Sequence, residues 1–228
     1  MIIDHVGFYF FPDYEWFRAI GRVGMPIWFF LGGYALSRDL PNKLLIGAVV
    51  LSIFDFVLFQ QTFPFNALVT IIFIRMTIDP VMAFITRSRY VFVIAAILMI
   101  LFYVATNLVI EYGTLAFSFA VMGYLVRHRD KVITSTFMTK HDFYFFFAVT
   151  LVGFCLLQNA QFGFSEIQFI MMAVVTACIM VVLAKLEPMT FPQIKGIAPI
   201  RALQFCGRKT LEIYVVHLVV FKVILFLF

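Results

Sequence analysis

Residues 167–184 read IQFIMMAVVTACIMVVLA, eighteen positions without a single charge. Coiled as an α-helix, such a stretch is about 27 Å long, close to the ~30 Å hydrocarbon core of a bilayer. Lipid offers no partner to backbone N–H and C=O groups, so a segment that crosses it alone must satisfy them within a helix. Similar runs occupy about 21–37, 42–60, 64–85, 90–110, 112–127, 143–160, 167–186 and 210–228. The whole chain is 64% hydrophobic and 13% charged, with 31 phenylalanines. A typical soluble domain is about half apolar and about a quarter charged, and a water-soluble fold of 228 residues could not hide this much apolar surface. The sequence predicts an all-α, polytopic transmembrane bundle with about eight full spans plus a partial N-terminal one. No linker, repeat or low-complexity segment divides it, so residues 1–228 form one domain.

The partial segment is Met1 to Phe11, apolar except for Asp4 and His5 and followed by Pro12 and Asp13. Eleven helical residues rise only about 16 Å, half the hydrocarbon core. It lacks the basic start and small-residue cleavage site of a signal peptide. It is read as the second half of a helix whose start has been placed late, rather than as a re-entrant half-helix.

The net charge is +5. In a soluble protein this would suggest nucleic acid, but here the cations cluster in short connections between apolar runs, and no nucleic-acid motif is present. Arg38 and Lys43, then Arg87 and Arg89, then Arg127 to Lys140, then Lys185 to Lys209 mark alternate loops; 60–66, the turn at Glu111 and 158–166 carry no cation. The positive-inside rule places the basic loops in the cytoplasm, with a contribution from anionic lipid head groups. Arg18 and Arg22 are the exceptions on the outer side. Cys155, Cys178 and Cys206 make no CxxC pair and no metal-ligand spacing, so they read as small hydrophobes, and no metal site is expected.

An ionisable side chain near the bilayer centre costs roughly 2.5–3.5 kcal/mol on insertion scales and must face protein or water. Asp4, His5, Asp55, Arg75, Asp79, Glu212, His217 and Lys222 fall within apolar runs. Arg75 and Asp79 share a helix face at i, i+4, either as an internal ion pair or with Arg75 aimed at an anionic ligand. Asp55 reads as a paired interhelical carboxylate, and Lys222 as a side chain that snorkels toward an interface. Asp4 and His5 are sequence neighbours and do not face each other on a helix; Asp4 is better placed to meet Arg18 or Arg22 as the chain returns. Those arginines, also four apart, form one cationic face suited to carboxylate or phosphate; the plainer alternative is lipid phosphate. The stretch after them, GRVGMPIWFFLGG (21–33), combines glycines that permit close helix approach with Pro26, which breaks or kinks the helix.

Together these residues resemble the TraX-type acetylase family. Its members carry M-x-x-D-H at the end of a first helix, here Met1, Asp4 and His5, then R-x-x-G-R-x-x-x-P-x-F-x-F, here Arg18, Gly21, Arg22, Pro26 and Phe29, with Trp28 replacing a position usually aliphatic or aromatic. A following loop has an Asn that opens a further helix, which Asn66 fits. The C-terminal LQFCGRKTLEIYVVHLVVF is similar to the closing helix of the acyltransferase-3 group, distantly related to heparan-glucosamine acetyltransferases, through Gly207, Thr210, Leu211, Tyr214 and His217. The resemblance implies a multi-pass protein of the inner (plasma) membrane that transfers an acyl group, acetyl first, from acetyl-CoA or another acyl-CoA. The thioester would be a co-substrate rather than a bound cofactor. The acceptor would be an amine or hydroxyl, on a protein N-terminus of the pilin kind or on a surface glycan.

Histidine titrates near neutrality and suits the base such a transfer needs. His5 is the first choice, with Asp4 beside it, and His217 the second; His128 and His141 sit in a basic loop and read as surface residues. Arg18, Arg22, Arg75 or Asn66 would stabilise charge on the carbonyl oxygen. Arg38, Arg87, Arg89, Arg127, Arg201, Arg208 and Lys209 are the cytoplasmic cations available to the donor's phosphates. A small secondary transporter is the alternative, since buried charges and a broken helix suit it too, although no internal repeat is present.

The loop alternation predicts a topology directly. In a chain whose native cysteines have been replaced, Arg129→Cys should react with a membrane-impermeant thiol reagent only after the cells are opened; labelling in intact cells would reverse the orientation.

Overall fold

Serine, threonine and asparagine at the starts of the long helices set their boundaries. The computed structural model describes residues 1–130, 139–187 and 204–227. In chain order the helices are α1 (Ile2–Phe10), α2 (Glu15–Arg22), α3 (Met25–Tyr34), α4 (Asn42–Phe59), α5 (Ala67–Ile85), α6 (Arg89–Leu101), α7 (Tyr103–Asn107), α8 (Gly113–Arg127), α9 (Lys140–Phe162), α10 (Glu166–Ala184) and α11 (Thr210–Leu227). Asn66 and Ser88 accept backbone N–H groups at the starts of α5 and α6. Reciprocal capping boxes, Thr139 with Asp142 and Ser165 with Gln168, open α9 and α10. Each satisfies donors that a helix start leaves unpaired. Among the described residues the only strand-like pairing is one bridge between Phe65 and Ile110.

Five helices, α4, α5, α9, α10 and α11, are long and apolar enough to cross a membrane, and α6 and α8 are shorter apolar helices. The fold is therefore helical and membrane-like, with five candidate spans among the described residues, and the expected count of eight is not confirmed. The difference lies where apolar runs are interrupted. The run 21–37 breaks after Arg22, because Pro26 has no N–H and fits only the first turn of a helix; the resulting α3 is about 15 Å long. The run 90–110 breaks at Phe102 into α6 and α7. Side chains make the next break, between α7 and α8, tolerable: Asn107 Oδ1 accepts the N–H of Tyr112 at 2.9 Å and Thr106 Oγ1 that of Thr114 at 2.9 Å. Irregular backbone at membrane depth persists only where protein receives it in this way.

The centre of the bundle is α8, buried along almost its whole length, as expected of a helix that is apolar all round. Its closest partner is α3. A Cβ on Gly33 would overlap the Ala120 carbonyl, and one on Gly123 would overlap the Phe30 carbonyl, so the two backbones touch through reciprocal glycines. At the periphery α11 lies along α4, tied by Lys43–Glu212 (2.9 Å) near one end and Asp55–Lys222 toward the other. Lys222 does not snorkel: it is 4% exposed, because Asp55 offers a partner inside the bundle. Lys131, Lys195 and Arg201, assigned above to basic loops, lie outside the described residues.

The glycine contact can be tested against its own neighbour. Gly32 has open space where a Cβ would go. Gly33→Ala should destabilise the detergent-purified protein by about 1–3 kcal/mol through overpacking, read as a lower unfolding midpoint, while Gly32→Ala should leave the midpoint unchanged. Equal effects at both positions would refute the α3–α8 contact.

Candidate functional site

The charges of the N-terminal hairpin meet each other. Gly7 and Gly21 bring α1 and α2 together: a Cβ on Gly21 would run into the backbone of Asp4, and one on Gly7 into Phe17. Arg18 and Arg22, one turn apart on α2, then both reach Asp4. Arg18 Nη1 lies 3.0 Å from Asp4 Oδ1 and also donates to the Asp4 carbonyl at 3.1 Å. Arg22 Nε lies 3.3 Å from the same carboxylate oxygen, and neither contact to that oxygen has the alignment of a hydrogen bond. Asp4 is 2% exposed and Arg22 8%. Both guanidinium groups pack over the Phe162 ring at 4.7 Å, and Arg22 also faces Tyr112. Two cations share one carboxylate, so the cluster keeps a net positive charge, partly masked by aromatic faces.

His5, the next residue after Asp4, points away from that cluster toward α11. Its Nδ1 lies 2.8 Å from His217 Nε2, with the rings nearly stacked at 5.1 Å between centroids. The residue that carries an acid next to a base thus directs the two side chains to different partners, as adjacent positions on a helix must.

These groups border a polar cavity of about 260 Å³. Asp4, His5, Arg18, Arg22 and Asn66 line it, as do Asp55, Glu111, Tyr112, Tyr214 and Lys222. His217 stands behind His5 and does not. Cavities that enclose drug-sized ligands run to about 300–1,000 Å³, so this one has room for a pair of reacting groups and not for a whole nucleotide-bearing carrier. Gln61 and Gln161, from two of the cation-free connections, and Asn107, at the end of α7, also line it. The connections at 60–66 and Glu111 are stitched together by Phe65 N–H to Val109 O and Glu111 N–H to Phe65 O, each 2.8 Å.

Two of the residues read from the sequence take other roles. Arg75 is not at the cavity. It donates to the Asp39 carbonyl, and its expected partner Asp79 is held instead by Arg38 through Nε (3.1 Å) and Nη2 (3.2 Å). The i, i+4 spacing does put Arg75 and Asp79 on one face, but the planar fork of Arg38 fits the carboxylate with two bonds. Asn66 does line the cavity, yet its amide is engaged: Oδ1 accepts the Leu68 N–H, and Nδ2 donates to the Ala48 carbonyl and to Ser52 Oγ, both at 3.0 Å. With both N–H donors committed it has none left for a substrate.

Of the loop cations expected to meet the donor's phosphates, Arg38 is bound to Asp79 and to the Gly32 and Ala35 carbonyls, and Arg89 pairs with Asp142 at 2.7 Å. Arg127 rests on Tyr34 and Arg87 on Phe84, without an ion pair among the described residues.

Glu111 and Tyr112 had no weight in the sequence reading beyond marking a turn. Glu111 Oε2 accepts the Ala67 N–H at 2.7 Å, which fixes the start of α5 beside the cavity. The signal was present: an acid in a cation-free connection between two apolar runs. Tyr214 was visible as part of the C-terminal pattern. Among the described residues no group of His, Cys, Asp and Glu could hold a metal ion.

The comparisons agree with the hairpin signature. No solved structure matches the chain. An uncharacterized protein, RP591, of Rickettsia prowazekii (strain Madrid E) is 33% identical over 129 residues, 56% of this chain. The matched region spans 52% of that relative's own length. The profile of the TraX protein family matches residues 1–225. With the Asp-His and Arg-x-x-Gly-Arg elements meeting in one hairpin, and with a match over nearly the full length, the chain belongs to the TraX family.

Proposed function

We propose that this protein is an integral-membrane acyltransferase of the plasma (inner) membrane. It would move an acyl group, acetyl in the first place, from acyl-CoA to an amine or hydroxyl of an acceptor, either a protein N-terminus or a surface glycan. One observation carries the reading: an imidazole and a net-cationic guanidinium pair share a small polar cavity inside an otherwise apolar helical bundle. Family membership supports the same chemistry.

In this reading His5 takes the acceptor's proton as the acceptor attacks the thioester carbonyl. Arg22, whose Nε has no aligned hydrogen-bond acceptor among the described residues, is the group best placed to meet the negative charge that develops on the carbonyl oxygen. Arg18 is more fully held by Asp4, and Asp4 orients the pair. The cavity admits the reacting groups, and the donor's nucleotide binds outside it. Because residues of the connections without cations, read as the outer face, line the cavity, the acceptor would arrive from outside the cell. The thioester would come from the cytoplasmic end, where Arg87 and Arg127 carry no ion pair among the described residues.

Two substitutions test the assignment in purified protein reconstituted with acetyl-CoA. His5→Ala should insert and purify normally but lose thioester turnover by about 100-fold or more. Arg22→Lys keeps the charge and loses the planar fork; it should cost about ten-fold in kcat, or ~1.4 kcal/mol of barrier. Near-wild-type turnover in His5→Ala would remove His5 as the base. A protein that carries solute with no dependence on CoA would fit a transporter instead.

A further inference from the structure

Two histidines from opposite ends of the chain meet beside the cavity, and their hydrogen bonds fix where each proton sits. His217 Nδ1 lies 2.7 Å from the carbonyl oxygen of Ile213, one turn earlier in α11. A carbonyl oxygen only accepts, so His217 Nδ1 carries a hydrogen. A neutral imidazole has one N–H, so His217 Nε2 carries none and accepts. The group facing it at 2.8 Å is His5 Nδ1, which must therefore donate. His5 Nε2 is left with a bare lone pair, and His5 is the one of the two that lines the cavity.

Aromatic rings flank the histidine pair. Tyr214 stands tilted to His5 at 5.7 Å and edge-on to His217 at 5.6 Å between centroids, and Phe221 meets His217 edge-on at 5.5 Å. The nearest carboxylate in sequence, Asp4, is turned to Arg18 and Arg22. A donor to an uncharged acceptor orients His5 without placing a second negative charge among apolar helices, where it would be costly.

We propose that His217 is a positioning residue: held by the Ile213 carbonyl, it locks His5 in the Nδ1–H tautomer and keeps His5 Nε2 free to accept a proton. This deepens the acyltransferase reading and rests on it for its kinetic consequences. In the transfer, the acceptor's nitrogen or oxygen bonds to the thioester carbonyl carbon as its proton passes to His5 Nε2. The adduct collapses with cleavage of the C–S bond, and the departing thiolate takes the proton from Nε2. His5 ends as it began, and the Nδ1 hydrogen stays between the two rings throughout. His217 therefore takes no proton from the acceptor, although its imidazole alone would have suited it to that role.

The test combines kinetics with a signature that does not need activity. His217→Ala should lower kcat about 100-fold with KM changed by no more than about three-fold, as expected when a base loses its orienter. His217→Gln offers an amide oxygen to His5 Nδ1–H and should recover kcat to within about ten-fold of the wild type. In ¹⁵N-histidine-labelled wild-type protein in lipid nanodiscs, His5, assigned by loss of its signals in His5→Gln, should show a protonated Nδ1 and an unprotonated Nε2. A wild-type His5 protonated at Nε2, or full kcat in His217→Ala, would overturn the proposal. If the wild-type protein transfers no acyl group at all, the acyltransferase reading fails, and the nitrogen spectrum still decides the histidine pair.

Discussion

A carboxylate that two guanidinium groups share is the interaction on which the site depends. Asp4 sits at 2% exposure in a chain whose surroundings are mostly hydrocarbon. An uncompensated charge there would be untenable, and removing one partner from a buried ion pair typically costs about 3–5 kcal/mol. The cluster dictates that α1 and α2 fold back on each other, and glycines at 7 and 21 make the approach possible. It fixes where Arg22 faces the cavity. It also fixes the direction of His5, because the residue that follows a buried, arginine-bound aspartate on a helix must look elsewhere, and here it looks at α11. The site is assembled from both ends of the chain, with α11 held in place along α4 by Lys43–Glu212 and Asp55–Lys222.

Much of this arrangement was legible in the sequence, because charges in apolar surroundings have few places to go. Asp4 with Arg18 and Arg22 followed from the violation of loop asymmetry and the four-residue spacing. The helical class followed from runs such as 167–184. The number of spans did not follow. Hydropathy measures how apolar a run is and not whether its backbone is continuous: Pro26 and the Phe102 break shorten helices without making them polar. A helix such as α8, buried by protein on all sides, needs no lipid-spanning length, yet its composition is that of a span.

The residues misread from the sequence share a cause. Arg75 and Asp79 were placed on one face by local spacing, but a fork from a loop 41 residues away makes a better partner for the carboxylate. Lys222 was expected at an interface until α4 supplied Asp55. Asn66 was taken as a substrate donor when its own helix start and α4 occupy it fully. In each case a long-range contact, invisible to periodicity, overrode a sound local argument. Glu111 shows the converse, since its place at the cavity depends on the bridge between 65 and 110 that no local pattern announces.

The central claim is that the cavity performs acyl transfer. It is tested most directly by following free thiol released from acetyl-CoA in proteoliposomes, with a peptide amine or a sugar supplied as acceptor on the side opposite the nucleotide. The account predicts thiol release that depends on the acceptor, matched by acetyl found on it. Folded, correctly inserted protein that releases no thiol with either class of acceptor would contradict it.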